Sequence, residues 1–475
     1  MEQHKKAGTP GLLNHFYLPE DQHLFDYDQI FAVSSMWIEL SMEDVEATCD
    51  LYVRGMPKHR NFLLFGGLEE IVESILSWTF SDDEVDFLLK SGIITEKSAK
   101  KLRNFKFGGD IFAMPEGTVF FGGEPVVRIT GKIWEVNLFT FFVINALSSN
   151  TIFLSKIARS VLAAANKISV VTCPVTRSHG NETSLKFGRA AYMLGSPSNI
   201  VPAFARKFGL PASKVNTKAY HAFIKSFSTE LEAMRAASSV FSPIGLMVDT
   251  YDFKKGVAHA IMVAKEAKAK GRAVGALVID SGKDVEEFSE RSYFCRTELD
   301  KAGLSEVRIT VTGNFNEVKI AKLVALGAPA NSVIACTELV ISSDDPVLEA
   351  VFKLAEFKKD GKVHHSAKLT KGKESYPGRK QVFRIFTEGV IEKDILGLEH
   401  EKLGTPLLVE VVRKGESVKI LPTLDELRTY TLSQLETLSE PLRRIDRVYK
   451  PPLRISRELK KLFEKHKREH LESDF

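Results

Sequence analysis

The sequence predicts an α/β fold centred on a barrel of parallel strands, and three observations carry that reading. Two apolar runs each end in acid: Ile244–Val248 runs into Asp249-Thr250-Tyr251-Asp252, and Val274–Ile279 runs into Asp280-Ser281-Gly282. Between them, Gly256–Lys270 places Val257, Ile261, Val263 and Ala264 at helical spacing and closes on Gly271, so the segment reads strand, helix, strand. Strands and helices then keep alternating to about Leu354. In such a barrel the strand carboxyl ends face the active site, which puts Asp249, Asp252 and Asp280 on one rim, where acid suits Mg²⁺, a ribose hydroxyl or a developing cation. Each of these aspartates equally fits a helix N-cap, and the sequence leaves both readings open.

The chain before the barrel follows a different pattern. Phe25–Met36 and Gly66–Phe80 read as amphipathic helices, and Phe105–Gly131 as short strands broken at Gly108-Gly109, Pro115-Glu116-Gly117 and Gly122-Gly123. From Lys132 one apolar helix is expected through Leu147 and a second through Ala165. After the barrel, Val382–Phe386, Gly389–Ile391 and Pro406–Arg413 read as strands that need a sheet to join, followed by a helix at Thr423–Leu435. The expected domains are therefore residues 1–131, a barrel at 132–354, and a segment at 355–475 that returns to the first domain and ends in a helical tail.

Composition narrows the class. A chain of 475 residues with 44% hydrophobic and 27% charged residues buries a large core in two or three domains. The longest apolar segment, around Leu138–Leu147, is too short to span a bilayer, and Met-Glu-Gln-His-Lys-Lys at the start is no signal peptide, so a cytoplasmic protein with no membrane partner is expected. Cys49, Cys173, Cys295 and Cys336 lack metal-ligand spacing and read as reduced thiols. A net charge of +4 is too weak for a nucleic-acid partner, and the basic tail Lys460–Arg468 reads as a solvated helix face.

Seven segments carry a resemblance: Arg60–Glu69 (RNFLLFGGLE), Ala113–Thr118 (AMPEGT), Ser198-Asn199, Asp249–Asp252 (DTYD), Ile279–Gly282 (IDSG), Tyr376–Gln381 (YPGRKQ) and Leu421–Arg428 (LPTLDELR). In this order, and over nearly the whole chain, they resemble nicotinate phosphoribosyltransferases. The resemblance implies the type II phosphoribosyltransferase fold, an irregular α/β barrel with an α/β sandwich domain built from N- and C-terminal segments, paired as a homodimer. It implies a reaction in which nicotinate and phosphoribosyl pyrophosphate give nicotinate mononucleotide and pyrophosphate. Mg²⁺ and ATP are implied as cofactor and co-substrate, with ATP hydrolysis coupled through a phosphorylated histidine.

On this resemblance His221, in Thr217-Lys218-Ala219-Tyr220-His221, matches the family's phosphohistidine, and Asp249 and Asp280 complete the catalytic set. Arg54 and Arg177 match functional arginines, whose forked guanidinium suits the pyrophosphate or the nicotinate carboxylate. Tyr27, in Asp26-Tyr27-Asp28, takes the place of the nicotinate-pocket tyrosine, and Asp252 and Ser281 that of further substrate contacts. Thr312-Gly313-Asn314 and Cys336-Thr337 occupy the two loops that grip the 5′-phosphate. Lys156 and Arg159 resemble a family lysine and arginine on a barrel helix, and fit a solvent-facing surface equally well. No residue is assigned to a resident metal.

The departures from the family pattern fall at the same places. Asn216 stands where glycine precedes the histidine, one extra residue separates Thr217 from His221, and Ala222 replaces serine. Ile334-Ala335-Cys336-Thr337 replaces Gly-Val-Gly-Thr, removing the residues that turn most freely through positive φ. Thr172-Cys173-Pro174-Val175-Thr176-Arg177 keeps one arginine of two, and Lys283 intrudes before Asp284. Two functions follow: an active nicotinate phosphoribosyltransferase with rebuilt loops, or a non-catalytic or altered-specificity paralogue that binds or regulates, or serves another pyridine.

Overall fold

The strand Ile244–Met247 lies parallel to Val274–Ile279, with Leu246 opposite Leu277 and Met247 opposite Val278, and the helix Phe253–Ala269 connects them as the apolar spacing predicts. The helix begins beside the first strand's end. A Cβ on Gly256 would stand 2.2 Å from the Val248 carbonyl oxygen, so glycine there is what lets the helix pack so close. Four further strands extend this sheet to six, in the order Ser169–Thr172, Ser332–Ala335, Arg308–Gly313, Val274–Ile279, Ile244–Met247, Lys218–Ala219. Every pairing is parallel, and among the described residues the first and last strands are not paired with each other, which makes this an open barrel.

This computed structural model describes residue 24 and residues 26–197, 201–212 and 218–471. The Ser198-Asn199 motif, Asn216 and Thr217 lie outside the described residues. Two compact units emerge: one from the residues up to Ile152, Val347–Arg444 and those from Val448 on, the other from Phe153–Pro346 with Ile445–Arg447. The divisions fall after Ile152 and before Val347, where the sequence suggested 131/132 and 354/355. At the second of these, the strand Ala350–Lys359 pairs along its length with Glu46–Val53 and so belongs with the N-terminal sheet.

The first unit holds a seven-stranded antiparallel sheet ordered Lys362–His365, Ala350–Lys359, Glu46–Val53, Pro125–Lys132, Asp110–Ala113, Val409–Arg413, Glu416–Ser417. Val409–Arg413 thus joins the N-terminal strands. The hairpin Lys380–Thr387 with Val390–Leu398 does not, forming instead a separate four-stranded sheet with Thr405–Pro406 and Leu453–Ile455.

Several motifs of the resemblance are scaffold here. Glu116 accepts from the backbone N–H of Gly67 at 2.8 Å and of Glu69 at 3.3 Å, and the Gly117 N–H donates to the Phe65 carbonyl at 2.7 Å. Gly67 sits at φ +99°, and a Cβ there would stand 2.8 Å from the Ala146 carbonyl oxygen, so glycine suits the position. Lys380 pairs with buried Asp50 at 2.7 Å, and Thr423 and Glu426 form a reciprocal capping box at the helix Leu424–Glu436.

The two apolar helices expected after Lys132 are arranged differently. A short helix Ile133–Leu138 precedes one helix of 25 residues, Thr140–Ala164. The polar stretch Ser148-Ser149-Asn150 does not break it, because Ser149 and Asn150 return hydrogen bonds of 2.9 Å to the carbonyls of Asn145 and Ala146. By length and composition this helix would suffice to cross a membrane, contrary to the sequence expectation, yet 67% of its most apolar stretch is buried inside the protein.

Candidate active site at the carboxyl ends of the barrel strands

Asp249 follows the strand Ile244–Met247 and reaches across to the loop after its neighbour. Its Oδ2 accepts three hydrogen bonds: from the Asp280 N–H at 2.8 Å, the Ser281 N–H at 2.7 Å and the Ser281 hydroxyl at 2.7 Å. The carboxylate therefore fixes the Ile279–Gly282 turn. Among the described residues its Oδ1, which is buried, has no hydrogen-bond partner, a state that costs free energy.

Asp280 in turn faces His221. The His221 Nε2 lies 3.3 Å from Asp280 Oδ2 and its Nδ1 lies 2.9 Å from the Thr250 hydroxyl, with the side chain one-third exposed. The carboxylate accepts and the hydroxyl can donate, so the pair matches the tautomer protonated at Nε2 and leaves the Nδ1 lone pair toward Thr250. His221 opens the short helix His221–Lys225, which is seated by Ile224 against Met247 and Val278. Thr250, not singled out from the sequence, is the residue that completes this chain. Arg291 was missed too: from the helix Val285–Lys301 it donates to the Ser281 carbonyl at 2.9 Å and hydroxyl at 3.1 Å.

Asp252 takes the capping role. Its Oδ1 accepts the Lys255 N–H at 2.9 Å at the start of Phe253–Ala269. Asp284 likewise caps Val285–Lys301 through the Glu287 N–H, one place beyond Lys283.

A second group gathers on the other strands. Arg177 closes the turn Pro174–Thr176, and its Nε donates to the Thr337 hydroxyl at 3.2 Å. Thr337 begins the short helix Thr337–Val340, and Cys336 before it takes φ −119° and ψ −87°. The loop thus turns without the positive φ that glycines would have supplied. Cys336 shares a thiol hydrogen bond with Cys173, and that contact together with burial pushes its thiol up. Thr312 and Gly313 end the strand Arg308–Gly313, and the Asn314 amide donates to Glu338 at 3.0 Å.

Lys156 and Arg159 do not face solvent. Both are buried and converge on Glu317: Lys156 at 2.7 Å, with Asp344 also at 2.7 Å, and Arg159 at 3.0 Å. Burial pushes Glu317 up, but the two cations outweigh it and hold its carboxyl below the usual value. Tyr27 and Arg54 belong to the first unit. Tyr27 is exposed and packs edge-on to Phe141, while Arg54 ends the Glu46–Val53 strand beside Glu349 and lines a cavity of about 210 Å³ with Asp50, Lys353 and Lys380.

Among the described residues, no group of three or more His, Cys, Asp or Glu side chains is placed to hold a metal ion. Asp249 and Asp280 are the carboxylates here whose chemistry would suit a divalent cation, since Mg²⁺ commonly takes one or two carboxylates and fills the rest of its shell from other oxygens.

Comparison with known proteins bears on the whole chain. The family model for the nicotinate phosphoribosyltransferase N-terminal domain matches residues 29–148. A nicotinate phosphoribosyltransferase of Mycobacterium tuberculosis is 34% identical over 413 residues, covering 86% of each chain, and one of Bacillus subtilis is 26% identical over 366 residues, covering 76% of this chain and 73% of its own. The crystal structure of human nicotinic acid phosphoribosyltransferase shares the fold, with a TM-score of 0.78 at 19% identity over 93% of this chain and 99% of that one. A nicotinate-nucleotide pyrophosphorylase from Pyrococcus furiosus shares it at 0.68 and 21% over 89% and 98%. With an open parallel barrel, a seven-stranded antiparallel sheet drawn from both ends of the sequence and a relative this similar across most of both lengths, the chain belongs to the nicotinate phosphoribosyltransferase family.

Proposed function

We propose that this protein transfers the phosphoribosyl group of phosphoribosyl pyrophosphate to nicotinate, giving nicotinate mononucleotide and pyrophosphate, in the biosynthesis of NAD, with ATP hydrolysis coupled through His221. The observation that carries the catalytic assignment is the hydrogen-bonded chain Thr250–His221–Asp280–Asp249 at the strand ends. Displacement at the ribose C1 builds oxocarbenium character, and carboxylates held in advance stabilise that charge without reorganising. Asp280 holds the imidazole protonated at Nε2, and its Nδ1 lone pair, which accepts from the Thr250 hydroxyl at 2.9 Å, is the one that would attack a phosphoryl group once that hydroxyl turns aside. Mg²⁺, held by Asp249 and Asp280 with the substrate's phosphates, would supply charge neutralisation at the leaving pyrophosphate. Arg177 and Thr337 offer a guanidinium and a hydroxyl to the anion, and Thr312, Gly313 and Asn314 line the adjoining loop.

Tyr27 and Arg54 serve substrate in this reading as family counterparts, and the protein works as a cytoplasmic homodimer. The test is a product assay on purified protein with phosphoribosyl pyrophosphate, Mg²⁺ and a panel of pyridines, with and without ATP. Nicotinate mononucleotide formed faster with ATP is the expected result. Product from another pyridine alone, or none, would establish the paralogue reading.

A further inference from the structure

Two departures from the family pattern meet in space. The parallel strands Ser169–Thr172 and Ser332–Ala335 pair with Thr172 opposite Ala335, so Cys173 and Cys336 are the first residues beyond two adjacent strand ends. Adjacent strands run about 4.8 Å apart, inside the Cα separation of about 4.4–6.8 Å that a disulfide spans. Cys173 and Cys336 are half-buried residues, whereas Cys49 and Cys295 are buried. A thiol hydrogen bond already joins Cys173 and Cys336. Each cysteine abuts a binding group: Cys173 precedes the Pro174–Thr176 turn that ends in Arg177, and Cys336 precedes Thr337, which accepts from Arg177 at 3.2 Å.

We infer that Cys173 and Cys336 form a dithiol modification site that a hydroperoxide closes reversibly to a disulfide, stapling the Arg177 and Thr337 loops together and weakening their grip on the phosphoribosyl substrate. The chemistry balances. One thiolate attacks the peroxide O–O bond, giving a sulfenic acid and releasing hydroxide, which takes up a proton to become water. The second sulfur displaces a second water from the sulfenic acid as the S–S bond forms. Two thiols lose two electrons and one hydrogen peroxide becomes two waters. A dithiol reductant reverses the step by exchange.

The experiment treats the full-length protein with hydrogen peroxide, blocks remaining thiols with iodoacetamide and maps non-reduced peptides by mass spectrometry. Calorimetry then measures phosphoribosyl pyrophosphate affinity before oxidation, after it, and after dithiothreitol. The expected result is a Cys173–Cys336 cross-link, a loss of about 2 Da in intact mass, and affinity at least about tenfold weaker that dithiothreitol restores. Cys173→Ser is expected to form no cross-link and to keep its affinity under peroxide. Both thiols remaining alkylatable, or a cross-link that leaves affinity unchanged, would overturn the inference. If reduced protein binds no phosphoribosyl pyrophosphate, the proposed activity fails, while the peptide map still decides the dithiol.

Discussion

The two halves of the strand-end face are built in opposite ways. On the side of Ile244–Met247 and Val274–Ile279, groups are wired to one another: Asp249 holds Asp280 and Ser281, Arg291 holds Ser281, and Asp280 with Thr250 holds His221. Across the sheet, around the ends of Ser169–Thr172, Ser332–Ala335 and Arg308–Gly313, the assigned groups meet in separate pairs: Arg177 with Thr337, Asn314 with Glu338, and Cys336 with Cys173. A group that must stabilise developing charge at C1 gains from being fixed beforehand. A group that receives a large, hydrated anion keeps its donors for the ligand. On the proposed function, the first half would carry the chemistry and the second the binding.

That contrast breaks most sharply at Asp249. Asp249→Ala removes the acceptor of three hydrogen bonds, releases the Asp280 turn and is expected to lower kcat/KM about 10³-fold, the scale of one lost electrostatic contact in a site. Steady-state kinetics beside a thermal melt would check it. A melt shifted as far as the rate falls would make Asp249 a folding residue instead.

His221 comes next. Incubation with ATP should place one acid-labile phosphate on the wild-type protein. His221→Ala should abolish that label while leaving a slow transfer indifferent to ATP, roughly 10²-fold below the coupled rate. If the wild type takes up no phosphate and its turnover ignores ATP, the Asp280–His221–Thr250 chain is structural.

On the binding side the effect moves from kcat to KM. Arg177→Ala is expected to raise KM for substrate about 10- to 100-fold with kcat nearly kept, and to do so well beyond Arg54→Lys. Equal, small changes for both arginines would place Arg177 on the surface and remove the distinction drawn between the two halves.

The smallest effects lie in stability against pH, and they separate buried carboxylates of the two units. Lys156 and Arg159 hold Glu317 below its usual 4.5 despite its burial. A depressed carboxyl stabilises above the unfolded value, and that contribution is lost as pH falls through the folded one. Burial pushes Glu135 of the first unit up to about 7. The folded state then keeps a proton that the unfolded state has lost, so this contribution declines as pH rises from about 4.5 toward 7. Chemical unfolding at a series of pH values should show Glu135→Gln flattening the decline near neutrality, and Glu317→Gln should remove part of the loss in acid.

How far the sequence could be read follows from the range of the forces involved. The strand–helix–strand unit, its acidic strand ends and the capping box at Thr423 were legible because periodicity and capping act within a few residues. The Val409–Arg413 strand was visible too, but its partner Asp110–Ala113 lies some three hundred residues away, and no local pattern names it. The same limit applied at the site. Asp249 and Asp252 are three positions apart in one acidic turn, and by themselves they fit either capping or catalysis. Only the neighbouring strand decides, because it brings the Asp280 turn to Asp249 and leaves Asp252 with its own helix. Lys156 and Arg159 read as readily for solvent as for the interior until Glu317 arrives from a distant helix to neutralise them. The sequence by itself determined the class of fold, the family and the residue types on hand. Tertiary structure decided which of them meet, because hydrogen bonds and ion pairs act over a few ångströms while their partners lie tens to hundreds of residues apart.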